Sequence, residues 1–128
     1  MSRVLLAALL GGSMLMAQAV QARSPEAQAI IGRASVIDGD TMEIRGRRIR
    51  LFGIDAPEGR QTCTTASGRA WRCGQQAANA LSARIGQDTV RCSVRGRDRY
   101  RRDIAGCFRG GEDLSRLMVA SGWAGADR

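Results

Sequence analysis

The sequence predicts a mainly β domain with helices: a five-stranded Greek-key barrel of the OB type, one helix between the third and fourth strands, and a short C-terminal helix. Three observations point there. From Ile30 onward the apolar residues fall into five short strand-like runs separated by Gly- and Asp-containing turns. One stretch, between the third and fourth runs, carries apolar residues at helical spacing. The chain is also strongly basic, with 20 Lys+Arg against 12 Asp+Glu. Its 128 residues suffice for one small domain, and no repeat or linker divides them.

The first 22 residues stand apart. Arg3 precedes a nearly unbroken small and apolar run from Val4 to Met16, then Ala17-Gln18-Ala19 and Val20-Gln21-Ala22, both compatible with signal-peptidase cleavage. The run is shorter than the about 20 residues that cross a bilayer. Residues 1–22 are expected to be a secretory signal, cut after Ala22 or Ala19. Residues 23–128 would then be the mature domain, secreted or periplasmic, carrying a charge of +7.

The elements follow in order. Gly32 to Ile37 is the first strand, ended by the turn Asp38-Gly39-Asp40. Thr41 to Arg45 alternates as the second, and Gly46 turns the chain. Arg47 to Ile54 is the third, with Ile49 and Leu51 on one face and Arg48 and Arg50 on the other. Pro57 and Gly59 open a loop to about Gly68. Trp71, Ala78, Leu81 and Ile85 then mark a helix over Arg69 to Ile85, stopped by Gly86. Thr89 to Val94 is the fourth strand, Arg95 to Arg99 a charged turn, and Ile104 to Phe108 the fifth strand. Asp113 caps a short helix with Leu114, Leu117 and Met118 inward, stopped by Gly122. Trp123 to Arg128 carries no element in this reading.

Composition excludes several chemistries. Every basic residue is Arg, and there is no His. Ser-His-Asp and Cys-His catalysis and His-containing zinc sites are therefore absent. At 4% aromatic residues, extensive base stacking is not expected. Cys63, Cys73, Cys92 and Cys107 follow an export signal and include no CxxC pair, which favours disulfides over zinc. Of three connectivities, the sequential pairing Cys63–Cys73 and Cys92–Cys107 is expected.

The candidate chemistry is acid, base and arginine. Asp40 closes the first turn, Asp55 and Glu58 flank the Ala56-Pro57 bend, Arg50 lies on the third strand, and Arg102 opens the fifth. Two carboxylates with carbonyl and water oxygens suit calcium or magnesium. A third carboxylate can orient or deprotonate water. Two arginines can clamp a phosphate whose charge grows in the transition state. Taken singly, each piece is also an ordinary turn, strand exit or solvated charge.

Three segments settle the choice. Val36-Ile37-Asp38-Gly39-Asp40-Thr41, Arg50-Leu51-Phe52-Gly53-Ile54-Asp55-Ala56-Pro57-Glu58, and Asp98-Arg99-Tyr100-Arg101-Arg102 resemble, in order and approximate spacing, the signature segments of the thermonuclease (staphylococcal-nuclease-like) family. The likeness runs from about Ile31 to Trp123. It implies an OB-fold barrel and a calcium-dependent nuclease acting on DNA and RNA, leaving 3′-phosphates and 5′-hydroxyls. Carried over by position, Asp40 and Asp55 would bind calcium, and Ala56 would offer its backbone carbonyl. Glu58 would activate water, Arg50 and Arg102 would stabilise the phosphorane, and Arg99 and Tyr100 would contact a substrate phosphate. The remaining arginines would add nonspecific, salt-sensitive affinity.

Two departures qualify the likeness. Arg101 occupies a position that is usually glycine, where backbone freedom or close approach can matter. The family also continues past the Gly122-Trp123-Ala124 segment with an aromatic-bearing stretch and a third helix, so the domain is expected to lack that last helix. The expected protein is a monomeric exported nuclease with DNA and RNA as substrates and no stable membrane association after signal cleavage. The alternative is an inactive OB-fold module that binds nucleic acid or another polyanion.

Overall fold

The computed structural model describes residues 11–13 and 28–127. Apart from 11–13, which adopt no regular structure, the expected signal segment lies outside the described residues. The elements are β1 (Ala29–Asp38), β2 (Thr41–Ile44), β3 (Arg47–Leu51), β4 (Ile54–Asp55), β5 (Cys63–Thr64), β6 (Ala70–Trp71), α1 (Cys73–Ile85), β7 (Thr89–Arg97), β8 (Asp103–Arg109), β9 (Glu112–Asp113), α2 (Leu114–Ala120) and β10 (Gly125–Ala126).

Five strands close the barrel in the order β3-β2-β1-β7-β8, and β8 returns to pair with β3 in parallel. That closing register sets Ile49 opposite Asp103, Arg50 opposite Ile104 and Leu51 opposite Ala105. Closure removes the open edges that a flat five-stranded sheet would expose. The ten-residue β1 serves two neighbours: residues 29–33 pair with β7 and residues 34–38 with β2. Between β2 and β3, Arg45 and Gly46 both take positive φ, 52° and 77°. This is the handedness of a type I′ turn, which matches the twist of the flanking strands.

Met42, Ile44, Ile49, Leu51, Val90 and Ala105 fill the barrel, with Leu81 of α1 and Leu114 and Met118 of α2 plugging it. Each large side chain removed from water contributes about 1.5–3 kcal/mol before entropy is counted. Asp113 caps α2 as expected, accepting from the N–H groups of Ser115 and Arg116. Both disulfides form in the sequential pairing, Cys63–Cys73 and Cys92–Cys107. Cys92 and Cys107 are direct partners across β7 and β8 and fully buried.

The structure corrects the expected bounds of the five strands and the first helix; the second strand ends at Ile44. The first strand extends to Ala29–Asp38, the fourth to Arg97, and the fifth to Asp103–Arg109. The third ends at Leu51, because Gly53 at φ 79° turns the chain before the separate β4. The helix begins at Cys73, not Arg69. Ala70 and Trp71 instead return to pair with Thr64 and Cys63, because the Thr65 hydroxyl and carbonyl hold a tight turn to Arg69 and Gly68. Trp71 therefore leaves the helix face and packs against Trp123, with centroids 6.5 Å apart. Residues 125–126, where no element was expected, pair with Asp55 and Ile54.

Candidate active site

The first turn delivers Asp40 to the barrel wall with 5% of its surface exposed. A buried carboxylate needs partners, and Asp40 has three. The Thr41 hydroxyl donates to Oδ1 at 2.8 Å, the Ala56 N–H donates to Oδ2 at 2.9 Å, and Arg50 Nη1 lies 2.9 Å from Oδ2. The Leu51 N–H donates to the Asp40 carbonyl at 2.8 Å, tying β3 to the turn.

Arg50 is the hub. Its Nη2 lies 3.4 Å from Asp55 Oδ1 and 3.9 Å from Asp127 Oδ2. Three carboxylates thus converge on one guanidinium, of which Asp55 is 74% exposed. Arg50 Nη1 is buried and has no aligned hydrogen-bond acceptor despite its proximity to Asp40. Nη1 therefore meets Asp40 as an ion pair, while Nη2 meets the exposed Asp55.

Glu58 is exposed on the loop that also carries Ala56. The loop is fixed from both sides. Gly59 N–H donates to Asp38 Oδ1, Gln61 N–H donates to the Glu58 carbonyl, and α1 presses against it at Gly74. A Cβ on Gly74 would stand 1.6 Å from the Glu58 carbonyl oxygen, a separation no side chain tolerates.

Arg102 enters β8 two residues before Ile104, the partner of Arg50. Alternation therefore puts Arg102 on the face that Arg50 shares. Asp98 holds it there. The Asp98 carboxylate takes the Arg102 Nε at 2.7 Å and the Arg102 and Tyr100 N–H groups at 2.9 Å each. Partial burial pushes the Asp98 carboxyl up, but these hydrogen bonds and the Arg102 charge outweigh it and leave it below the usual carboxylate range. Tyr100 is 64% exposed, with Arg99 and Arg102 over its ring at 4.9 and 5.4 Å. Arg101 takes φ 64°, the left-handed region that its glycine-like position suggested.

The fold thus gathers Asp40, Arg50, Asp55 and Ala56 directly, and sets Glu58 and the Arg99–Arg102 turn on adjoining segments. Sequence reasoning missed Asp98, Gly74 and Asp127. Asp98 had a signal, as the sole acid in the basic stretch Arg95 to Arg102. Gly74 and Asp127 had none, because their neighbours here are distant in sequence. Among the described residues no three acidic or cysteine side chains are grouped to hold a metal ion; the oxygen donors that come together are the Asp40 and Asp55 carboxylates, now bridged by Arg50, whose hard oxygens match calcium or magnesium in chemistry.

A closed Greek-key barrel with a paired-acid and arginine site on its wall defines the class. The chain belongs to the staphylococcal nuclease homologue family, whose model matches residues 48–128. It is 44% identical over 113 residues to the succinoglycan biosynthesis protein ExoI of Rhizobium meliloti, covering 87% of this chain and 59% of that protein. It is 31% identical over 96 residues to an uncharacterized endonuclease of Haemophilus influenzae, covering 71% of this chain and 48% of that protein. The chain therefore spans roughly half to three-fifths of the length of these relatives. Asp40 lies ahead of the matched segment and joins the site through the fold.

Proposed function

We propose that this protein is an exported, calcium-dependent nuclease that hydrolyses phosphodiester bonds of DNA and RNA. The observation that carries the reading is Arg50, whose guanidinium spans the buried Asp40 and the exposed Asp55. Membership of the nuclease family and the endonuclease name of one relative support it. Two disulfides fit an oxidising compartment, and no helix among the described residues is long and apolar enough to cross a membrane.

In this mechanism Asp40, Asp55 and the Ala56 carbonyl would hold a calcium ion, which would supply Lewis-acid charge neutralisation at the phosphate. Arg50 binds the scissile phosphate through the Nη2 donors that now face Asp55. Glu58 orients a water and takes its proton as the oxygen attacks phosphorus in line; the bond from phosphorus to the 5′-oxygen breaks, and that oxygen takes a proton from solvent to leave as the 5′-hydroxyl. Arg102, aimed by Asp98, adds charge-assisted hydrogen bonds to the equatorial oxygens as negative charge builds there. Arg99 and Tyr100 bind a neighbouring phosphate and fix the register of the strand.

The test is cleavage of denatured DNA by the oxidised chain, with calcium and with a chelator, beside Glu58→Gln. Calcium-dependent cleavage that falls about 100-fold or more in the variant is expected. A folded wild-type chain that binds DNA without cutting it would overturn the nuclease reading in favour of a polyanion-binding module.

A further inference from the structure

The loop that carries Glu58 is held at two places away from the Asp40–Arg50–Asp55 cluster. On one side, Asp38 of β1 accepts the Gly59 N–H at 2.6 Å. On the other, Gln61 ties Glu58 to α1. The Gln61 N–H donates to the Glu58 carbonyl at 2.8 Å, and its side-chain Oε1 accepts from the Glu58 N–H at 3.3 Å. The Gln61 carbonyl in turn accepts from the Gly74 N–H at 3.1 Å. That contact also serves the helix, because Arg72, at the N-cap, gives α1 no side-chain hydrogen bond. Cys63 follows closely after Gln61, and Cys73 immediately precedes Gly74. Their disulfide closes a covalent ring over the Gln61–Gly74 hydrogen bond. Leu81 and Ile85 fix the rest of α1 in the core. All of these residues lie between Asp38 and Ile85.

We propose that the Cys63–Cys73 disulfide is a redox-sensitive clamp on Glu58. Oxidised, it holds the loop so that Glu58 meets the attacking water; reduced by a dithiol, it lets Glu58 drift while the barrel stays folded. The clamp rests on the nuclease reading for what Glu58 does, not for the restraint of the loop. A single backbone hydrogen bond on a loop open to water adds little net stability, so without the covalent ring the loop opens readily. The two disulfides differ in access. Cys63 is half-buried on the loop, whereas Cys92 and Cys107 are fully buried in the barrel. A thiolate of the dithiol attacks Cys63 Sγ, the Sγ–Sγ bond breaks, and Cys73 leaves as a thiolate, which its place at the start of α1 favours. The second thiolate of the dithiol then displaces the Cys63 sulfur. The two cysteines take up the protons the dithiol gave up, and the dithiol, having lost two electrons, ends as a disulfide. A chain still in a reducing compartment would carry the Asp40–Arg50–Asp55 cluster without a placed Glu58, and oxidation would complete the site.

The experiment compares the oxidised full chain, the same chain with dithiothreitol, and Cys63→Ala with Cys73→Ala, which keeps Cys92–Cys107. Cleavage of denatured DNA in calcium gives kcat and KM. Alkylation mapped by mass spectrometry shows which cysteines are reduced, and thermal melting checks the barrel. The double variant is expected to lose about 100-fold in kcat with KM unchanged, because a base displaced by about 1 Å loses that much. Dithiothreitol should bring the wild type to the same low kcat, with alkyl groups on Cys63 and Cys73 alone, and reoxidation should restore cleavage. The variant should not respond to dithiothreitol. A double variant that keeps the wild-type kcat, or a loss of cleavage that tracks alkylation of Cys92 and Cys107, would overturn the clamp. If no form cuts DNA, the nuclease reading fails and hydrogen exchange judges the clamp. Faster exchange of the Gln61 and Gly74 amides in the double variant, with β7 and β8 unchanged, supports it, and unchanged exchange at both amides overturns it.

Discussion

Arg50 Nη1 stands 2.9 Å from Oδ2 of Asp40, a carboxylate almost wholly removed from water. The pair couples stability to the site, because the arginine at the centre of the site also compensates a buried charge. Removing one member of such a pair leaves the other uncompensated. Arg50→Ala is therefore expected to destabilise the domain by about 3 kcal/mol, while Arg50→Lys should recover part of that stability but little cleavage, lacking the planar fork. Urea unfolding and cleavage rates on the two variants check this. Equal stability of wild type and Arg50→Ala would show that the Ala56 N–H and Thr41 hydroxyl satisfy Asp40 alone.

Asp98 gives a pH dependence. Its carboxyl lies below the usual value, so the folded state holds it ionised more firmly than the unfolded chain does. Its contribution is fully present above the ordinary carboxylate value near 3.8 and is lost as pH falls through the lowered folded value. Asp98→Asn should flatten the acid limb of the stability curve below about pH 4. At neutral pH it should release Arg102 and lower kcat by about tenfold or more. Thermal melts across pH 2–6 and steady-state kinetics test the two halves; unchanged kcat would separate Asp98 from catalysis.

Gly74 is predicted to be intolerant of any side chain. The Glu58 carbonyl occupies the space a Cβ would need, so Gly74→Ala must move either α1 or the Glu58 loop. Overpacking of this kind costs about 1–3 kcal/mol. Because α1 is anchored by Leu81 and Ile85 in the core, the loop should yield, and cleavage should fall more than stability does. Comparing both losses with those of Gln75→Ala, an exposed helical neighbour, provides the measurement.

Arg101→Gly should stabilise the turn. A side chain at φ 64° costs about 1–2 kcal/mol, and glycine returns part of that as added unfolded-state entropy. A net gain of about 0.5–1 kcal/mol in chemical denaturation is expected. A loss would mean that the Arg101 side chain supports the turn in a way the backbone strain conceals.

The two disulfides should differ in weight. Cys92–Cys107 closes the longer loop, 15 residues against 10, and sits in the barrel core. Its removal as the double Ala variant should cost about 3 kcal/mol from loop closure plus the lost packing of two buried side chains. Loss of Cys63–Cys73 should mainly loosen the β5–β6 hairpin, seen as faster local hydrogen exchange around residues 61–73.

Much of the molecule was legible from local chemistry. Alternation at Thr41–Ile44 and Ile49–Leu51, the Asp113 cap and the spacing of Ala78, Leu81 and Ile85 report forces between near neighbours, and those elements form, the third strand shorter and the first helix starting later than expected. The Cys92–Cys107 pairing was legible because two adjacent strands bring paired residues together. What misled the reading was long-range. Trp71 has helical spacing to Ala78, yet it packs on Trp123, and residues 125–126 became a strand only because Ile54 and Asp55 offered an open edge.

The site divides the same way. By itself the sequence determined the residue types, the order of the three motifs and the absence of histidine, which together narrow the chemistry to carboxylates and arginine. Only the closed barrel decided that Asp40, Asp55 and Asp127 meet at Arg50, that Asp98 aims Arg102, and that Gly74 holds the Glu58 loop. Sequence patterns record interactions that repeat along the chain. Barrel closure brings together residues far apart in sequence, and no period in the sequence encodes which of them will touch.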